Sequence, residues 1–174
     1  DRRVRDGVVR RTLDKMLKAG VWEKGRVSYS ETGAPQGGVI SPLLSNIYLH
    51  EVLDSWFVEQ ARPHLEGRAY LIRFADDFLL CCEYKRDAQR LMKVMPKRFE
   101  KYGLEIHPEK TRLLDFRPPG ARPEGDKAPT FDFLGFTHYW GRSRSGRPLV
   151  KKRTAKDRQK RALRSFTEFC RDAR

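Results

Sequence analysis

Hydrophobic positions along the chain repeat with two different periods. Val8, Val9, Leu13, Met16, Leu17 and Val21 recur at helical spacing within residues 4–21, and Gly20 is a natural stop, so a packing helix is expected there. Arg26 to Glu31 reads as a short strand running into the Gly-rich turn Thr32 to Gly38. Ser41 suits a helix N-cap with Pro42 at the first helical position, and Leu44, Ile47, Tyr48, Val52 and Trp56 carry an apolar face to about Gln60. Tyr70 to Cys82 is apolar on both sides of Asp76-Asp77, which predicts strand, tight turn, strand. Lys85 to Tyr102 is amphipathic through Ala88, Leu91, Met92, Met95, Phe99 and Tyr102; Pro96 is expected to kink or interrupt it, and Gly103 to cap it.

Beyond that helix the pattern becomes strand-like. Leu104 to His107 and Arg112 to Phe116 read as short strands flanking a turn, and residues 117–129, rich in Pro, Gly and charge, read as a loop. Phe131 to Trp140 is an aromatic strand, Gly141 to Gly146 a hairpin turn, and Leu149 to Arg153 the returning strand. From Ala155 a basic helix follows, with Ala162, Leu163, Phe166 and Phe169 on its apolar side. Strands mixed with packing helices, without regular βαβ alternation, predict an α+β fold with an antiparallel sheet packed on helices.

Composition changes this picture mainly through charge. The 174 residues carry a net charge of +14, and residues 142–174 alone hold 13 Lys/Arg against 3 Asp/Glu. A stripe of that kind is the electrostatic footprint of a nucleic-acid binder, although a solvated basic tail has the same composition. No stretch approaches the roughly 18 apolar residues of a membrane span. Cys81, Cys82 and Cys170 have neither metal-ligand spacing nor the even count of a disulfide framework, which points to a reducing, cytoplasmic compartment. His50, His64, His107 and His138 are scattered and argue against a zinc site.

Two segments carry candidate chemistry. Asp76 and Asp77 are adjacent carboxylates in an oily hairpin, where mutual repulsion and lost hydration favour a shared hard cation such as Mg²⁺. A solvated Asp-Asp turn is the other reading, and local sequence leaves both open. Gly33, Gly37 and Gly38 permit close backbone approach, Gln36 offers donor and acceptor, and the following helix N-terminus favours phosphate. The turn lacks the Lys and spacing of a Walker loop, and an ordinary strand-to-helix connection explains it equally well. Tyr48 and Trp56 fall at core spacing. Tyr139 and Trp140, beside Arg142 and Arg144, suit either packing or stacking on nucleic acid.

Taken in order, four segments resemble one family. Gly33-Ala-Pro-Gln-Gly-Gly-Val-Ile-Ser-Pro-Leu-Leu-Ser-Asn-Ile-Tyr-Leu-His50 resembles the signature turn and helix of group II intron-type reverse transcriptases. Arg73-Phe-Ala-Asp-Asp-Phe78 is similar to their catalytic hairpin, Leu104-Glu-Ile-His-Pro-Glu-Lys-Thr111 to the next motif, and Phe131-Asp-Phe-Leu-Gly-Phe136 to the segment that grips the primer. The resemblance implies a right-hand polymerase palm over residues 1–153 and the start of a basic thumb helix over 154–174. It implies catalytic, Mg²⁺-binding roles for Asp76 and Asp77 in a two-metal site, and a proton-donor role for Lys110. Ala34, Pro35, Gln36 and Gly37 would line the dNTP and template pocket, and Phe133, Leu134 and Gly135 the primer grip. Arg142, Arg144, Lys151, Lys152, Arg153, Lys156 and Lys160 are candidates for phosphate contacts. The implied partners are an RNA template, a DNA primer, dNTP and intron RNA.

Two departures qualify the resemblance. Phe74 stands where the family usually has tyrosine, so a modest effect is expected. The family's other metal-binding aspartate lies upstream of the helix at 4–21, and none of Asp1, Asp6 or Asp14 has its strand context, so the 174 residues alone are expected to be inactive in DNA synthesis. An exposed sheet edge is a possible route to a fragment dimer. A maturase role in RNA folding and splicing, or a bacterial reverse transcriptase serving defence or diversity generation, is the alternative function.

Overall fold

A computed structural model describes residues 5–23, 26–28, 40–123, 125–126 and 128–172. The chain divides into two compact units, Asp1–His64 and Leu65–Arg174. The fold is mixed α+β, and every strand pairing is antiparallel. Among the described residues the strands form three small sheets, two of two strands and one of three, where the periodicity predicts one.

In the first unit, α1 (Gly7–Leu17) starts where the Asp6 carboxylate accepts hydrogen bonds from the Val8 and Val9 amides at 2.7 and 3.0 Å. This satisfies two of the orphan donors at a helix start. The predicted helix is shortened at both ends, because Val21 belongs instead to β1 (Val21–Glu23), paired with β2 (Arg26–Ser28). No residue of α1 is buried, so its apolar stripe is not the packing surface its spacing suggests. Helix α2 (Ser41–Leu49) holds Pro42 in its first turn and has Ile40 as its N-cap, so Ser41 lies inside the helix rather than at the cap position. The chain continues as helix with wider, π-type winding over His50–Ser55 and Phe57–Ala61 and ends in a tight turn at Arg62–His64. Leu49, Val52, Leu53, Trp56 and Phe57 are buried, while Ile47 and Tyr48, expected in the core, are exposed.

In the second unit, β3 (Ala69–Phe74) and β4 (Asp77–Cys82) form a hairpin in register from Ala69 opposite Cys82 to Phe74 opposite Asp77. Helix α3 (Lys85–Glu100) contributes buried Leu91, Met95 and Phe99, and Phe99 meets Phe78 of β4 with ring centroids 6.0 Å apart. Each such side chain contributes roughly 1.5–3 kcal/mol by leaving water. Contrary to expectation, Pro96 does not break α3. It sits exposed in the last turns, while buried Met95 and Phe99 hold the adjacent turns in the core. Gly103, at φ 67°, closes the helix, with the Leu104 amide donating to the Phe99 carbonyl at 3.0 Å.

The base of this hairpin is tied to α3 by a buried carboxylate. Asp87 is 1% exposed and accepts hydrogen bonds from the Gly67 amide at 2.9 Å and the Glu66 amide at 3.1 Å. A Cβ at Gly67 would lie 2.8 Å from the Tyr84 ring and 2.9 Å from the Glu83 Cβ, so only glycine lets the chain pass this closely. The Gly67 amide, and secondarily the Glu66 amide, hold the Asp87 pKa below its ordinary value against the opposing effect of burial.

The third sheet runs β5 (Phe131–Phe133), β6 (Phe136–Arg142) and β7 (Pro148–Thr154), followed by α4 (Lys156–Asp172). The predicted single strand Phe131 to Trp140 is thus a hairpin, folded back at Leu134-Gly135. The two short strands expected at Leu104 to His107 and Arg112 to Phe116 are irregular backbone. Side chains fix that segment: the Trp140 indole donates to the Phe116 carbonyl at 3.1 Å, and Phe116 meets Phe131 edge-on at 5.0 Å. Among the described residues no helix is long and apolar enough to cross a membrane.

Candidate nucleic-acid-processing site

The β3–β4 turn consists of two residues, Ala75 and Asp76, between the paired Phe74 and Asp77. Ala75 adopts φ 52°, in the left-handed region that disfavours a side chain. Arg73 helps fix it by donating from Nη1 to the Ala75 carbonyl at 2.9 Å. This places Asp76 at the tip and Asp77 at the first residue of β4, both exposed. The desolvation argument for the pair therefore does not hold, and their proximity comes from the tight turn alone. Register puts Asp77 on the same hairpin face as Phe74, Ile72 and Tyr70, all exposed; Phe78 lies on the opposite face and meets Phe99 of α3. Two hard oxygen donors at an open tip suit Mg²⁺, which completes its shell with water and phosphate oxygens. Among the described residues no group of three or more His, Cys, Asp or Glu side chains could hold a metal.

The β5–β6 turn uses the same device. Its two residues, Leu134 at φ 52° and Gly135 at φ 79°, are both left-handed, the conformation of a type I′ hairpin turn. Glycine is usual at the second position, whereas a leucine at the first is strained at a cost of about 1–3 kcal/mol. Leu134 is 39% exposed at the tip, and Phe133 is half-buried behind it. The Asp132 carboxylate accepts from the buried Thr137 hydroxyl at 2.5 Å, and the Ala155 amide donates to the Gly135 carbonyl at 3.0 Å. The second bond joins this turn to the start of α4.

The basic candidates separate into different surfaces. Register places Lys151 and Arg153 on the sheet face that carries Tyr139, with the Arg153 guanidinium 5.5 Å from the Tyr139 ring. Lys152 points to the other face, its ammonium 5.3 Å from the Phe136 ring. The Lys151 stem lies over Gly141, where a Cβ would stand 2.8 Å from it. Arg142 ends β6, Arg144 lies in the β6–β7 turn, and Lys156 and Lys160 are one turn apart on α4, all exposed. Trp140 is a packing residue, engaged with Phe116 at 5.5 Å. Lys110 is exposed in the turn closed by the Thr111 amide and the His107 carbonyl. Ala34, Pro35, Gln36 and Gly37 lie outside the described residues.

Local sequence gives no sign of the parts that Arg73 and Asp87 play at the tip and base of the β3–β4 hairpin, whereas Arg158 falls in the basic stretch 151–164, whose arginines and lysines are phosphate-contact candidates by charge. The Leu-Gly pair between flanking phenylalanines was a readable signal for a two-residue hairpin. The contacts of Asp87 and Arg158 are made with other elements, and no local pattern announces them. Burial raises the pKa of Cys81 and of Cys82, with the Asp87 charge adding to the latter, so neither thiol is activated.

Comparison with known proteins bears on these hairpins directly. The model of the family described as reverse transcriptase (RNA-dependent DNA polymerase) matches residues 3–138, which takes in the whole β3–β4 hairpin and the β5–β6 turn. The chain is 37% identical over 112 residues to the group II intron-encoded protein LtrA of Lactococcus lactis subsp. cremoris, covering 64% of this chain and 18% of that protein. It is 44% identical over 68 residues to Escherichia coli protein YkfC, covering 39% of this chain and 17% of that protein. It is 29% identical over 108 residues to a telomerase reverse transcriptase of Takifugu rubripes, covering 62% and 10%. The chain therefore matches less than a fifth of the length of each of these relatives. With the family match spanning most of its residues, the chain belongs to the reverse transcriptase (RNA-dependent DNA polymerase) family.

Proposed function

We propose that this chain is the palm, residues 1–153, and the start of the thumb, residues 154–174, of an RNA-directed DNA polymerase of the group II intron type. The observation that carries the reading is the two-residue hairpin that exposes Asp76 and Asp77 together, inside a chain of this family. Asp76 and Asp77 would hold divalent cations, Mg²⁺ by their hard oxygen chemistry, together with a carboxylate outside the described cluster. When bound, such ions neutralise charge on phosphate oxygens during nucleotidyl transfer from a dNTP to a primer 3′-hydroxyl. The chain's own residues provide the scaffold: Arg73 locks the turn, Phe99 braces β4 from behind, and Asp87 anchors the base. Ala34, Pro35, Gln36 and Gly37 would line the dNTP and template pocket, Leu134 would meet the primer end, and Lys110 would donate a proton to the leaving pyrophosphate.

The RNA template, DNA primer and intron RNA are the partners that fit the cations of β7 and α4. The concentration of those cations also favours an RNA-binding maturase role beside synthesis. A cytoplasmic setting suits three unpaired thiols. Self-association through the free edges of the β3–β4 hairpin finds no support in the comparisons. The test is Asp76→Ala in the full-length protein, with primer extension on an RNA template and RNA binding measured in parallel. Extension should be lost and RNA binding retained; surviving extension would overturn the assignment of Asp76.

A further inference from the structure

Arg158, in the first turn of α4, is laid across the β5–β6 turn. A Cβ built on Gly135 would collide with Arg158 Nη1 and lie 3.0 Å from its Cδ and 3.2 Å from its Cζ. The arginine stem and guanidinium thus occupy the space that every residue except glycine would fill. The adjoining backbone bond, Ala155 amide to Gly135 carbonyl at 3.0 Å, and the burial of Ala155 fix the helix start relative to the turn. Arg158 is nevertheless exposed, and its guanidinium makes no ion pair or hydrogen bond among the described residues. Packing against Gly135 therefore sets a cation beside the turn, with no acid partner among the described residues. Leaving an arginine fork unpaired while restricting its stem makes sense where an incoming anion will accept from it, because the ordering cost is already met.

The strained backbone points to the same spot. Leu134 keeps φ 52° with a partly exposed side chain, although asparagine or glycine would hold that turn more easily. Leu134 offers an apolar contact at the tip, and Arg158 a charge beside it. A nucleic-acid strand has both complements, a sugar or base face and a phosphate. We propose that Arg158 is a nucleic-acid-positioning residue, its guanidinium contacting a backbone phosphate of the strand that lies on Leu134. Gly135 then has two duties, the left-handed turn and the seat for Arg158. This rests on the polymerase reading above and adds to it a specific phosphate clamp at the β5–β6 turn.

The test uses the full-length protein with an RNA template annealed to a DNA primer, comparing wild type, Arg158→Ala, Arg158→Lys, Gly135→Ala and the double variant Gly135→Ala/Arg158→Ala. Arg158→Ala should raise the duplex Kd about tenfold and raise KM for the duplex far more than it lowers kcat. It should also reduce the slope of log Kd against log salt by about one. Arg158→Lys should recover the salt slope without the full affinity, since it keeps the charge and loses the fork. Gly135→Ala should weaken binding by displacing Arg158, so the double variant should bind less weakly than the product of the two single effects predicts. Thermal melting separates a structural role: a loss of affinity in Arg158→Ala that merely tracks a lowered Tm overturns the proposal. So does an unchanged Kd and salt slope in a protein that still extends primers and still depends on Asp76. Absence of extension in the wild type would instead fault the polymerase reading, and the binding and salt measurements would still decide Arg158.

Discussion

The hairpins β3–β4 and β5–β6 share a loop length and differ in turn geometry and charge. Each turns through two residues, and each holds a non-glycine residue at φ 52°, Ala75 in one and Leu134 in the other. The first tip presents two carboxylates and is steadied by a cation on its inner carbonyl, Arg73 on Ala75. The second presents leucine and is overlaid by a cation with no acid partner among the described residues, Arg158 on Gly135. Two-residue turns with a left-handed first residue thus display, within one unit, an acidic tip at one hairpin and an apolar tip beside a cation at the other. The difference lies in which side chains the turn displays and which neighbouring element reaches over it.

The most severe way to break the comparison is to remove a carboxylate from each hairpin. Asp76→Ala in the full-length protein should reduce primer extension by about a thousandfold or more, whereas Asp132→Ala at the second hairpin should cost less than about tenfold. Equal losses measured side by side would show that the tips are not chemically distinct.

Anchoring provides the next contrast. Asp87 secures only the first hairpin, so Asp87→Ala should lower Tm by about 5–10 °C by removing the buried acceptor of the Glu66 and Gly67 amides. Its pH dependence has a definite sign. The folded pKa is depressed, so the stabilisation is complete above the ordinary aspartate value of about 4 and is lost as pH falls through the lower folded value. Arg117 likewise holds the Asp115 pKa at about 2, with the same sign but in an exposed pair that solvent screens. Melting curves from pH 5 to 2 should therefore fall less steeply for Asp87→Asn than for the wild type; parallel curves would remove Asp87 as the acid-sensitive anchor.

Relieving strain gives a smaller and opposite effect. Leu134→Asn should gain about 1 kcal/mol of stability, because asparagine accepts the left-handed region in this turn, and Ala75→Asn about 0.5 kcal/mol. If the strain serves function, denaturant midpoints should rise while extension falls. A gain in both would mark Leu134 as an unexploited defect. The smallest effect is expected from Phe74→Tyr, opposite Asp77, which should change extension rate by no more than about threefold. A larger change would make the missing hydroxyl part of the site.

Much of this was legible in the chain. The acidic pair between apolar runs announced a hairpin, although the turn itself falls at Ala75-Asp76 and Asp77 already belongs to β4. The amphipathic spacing of Leu91, Met95 and Phe99 announced α3 and its buried face. The motif order announced the family and the α+β class. Local signals failed where a partner outside the window decided the outcome: Pro96 was tolerated because the core held α3 on both sides, and Leu104 to Phe116 found no strand to pair with among the described residues. The single aromatic strand became a hairpin because a two-residue Leu-Gly turn lets Phe133 pair with Phe136.

Sequence by itself determined which residues carry charge, where the chain must turn, and that Asp76 and Asp77 stand together, since adjacency and periodicity are properties of the chain. Tertiary structure alone decided that Asp87 would be buried under two foreign amides and that Arg158 would settle on Gly135. Those outcomes depend on which elements meet in space, and packing is a relation between distant residues that no local pattern encodes.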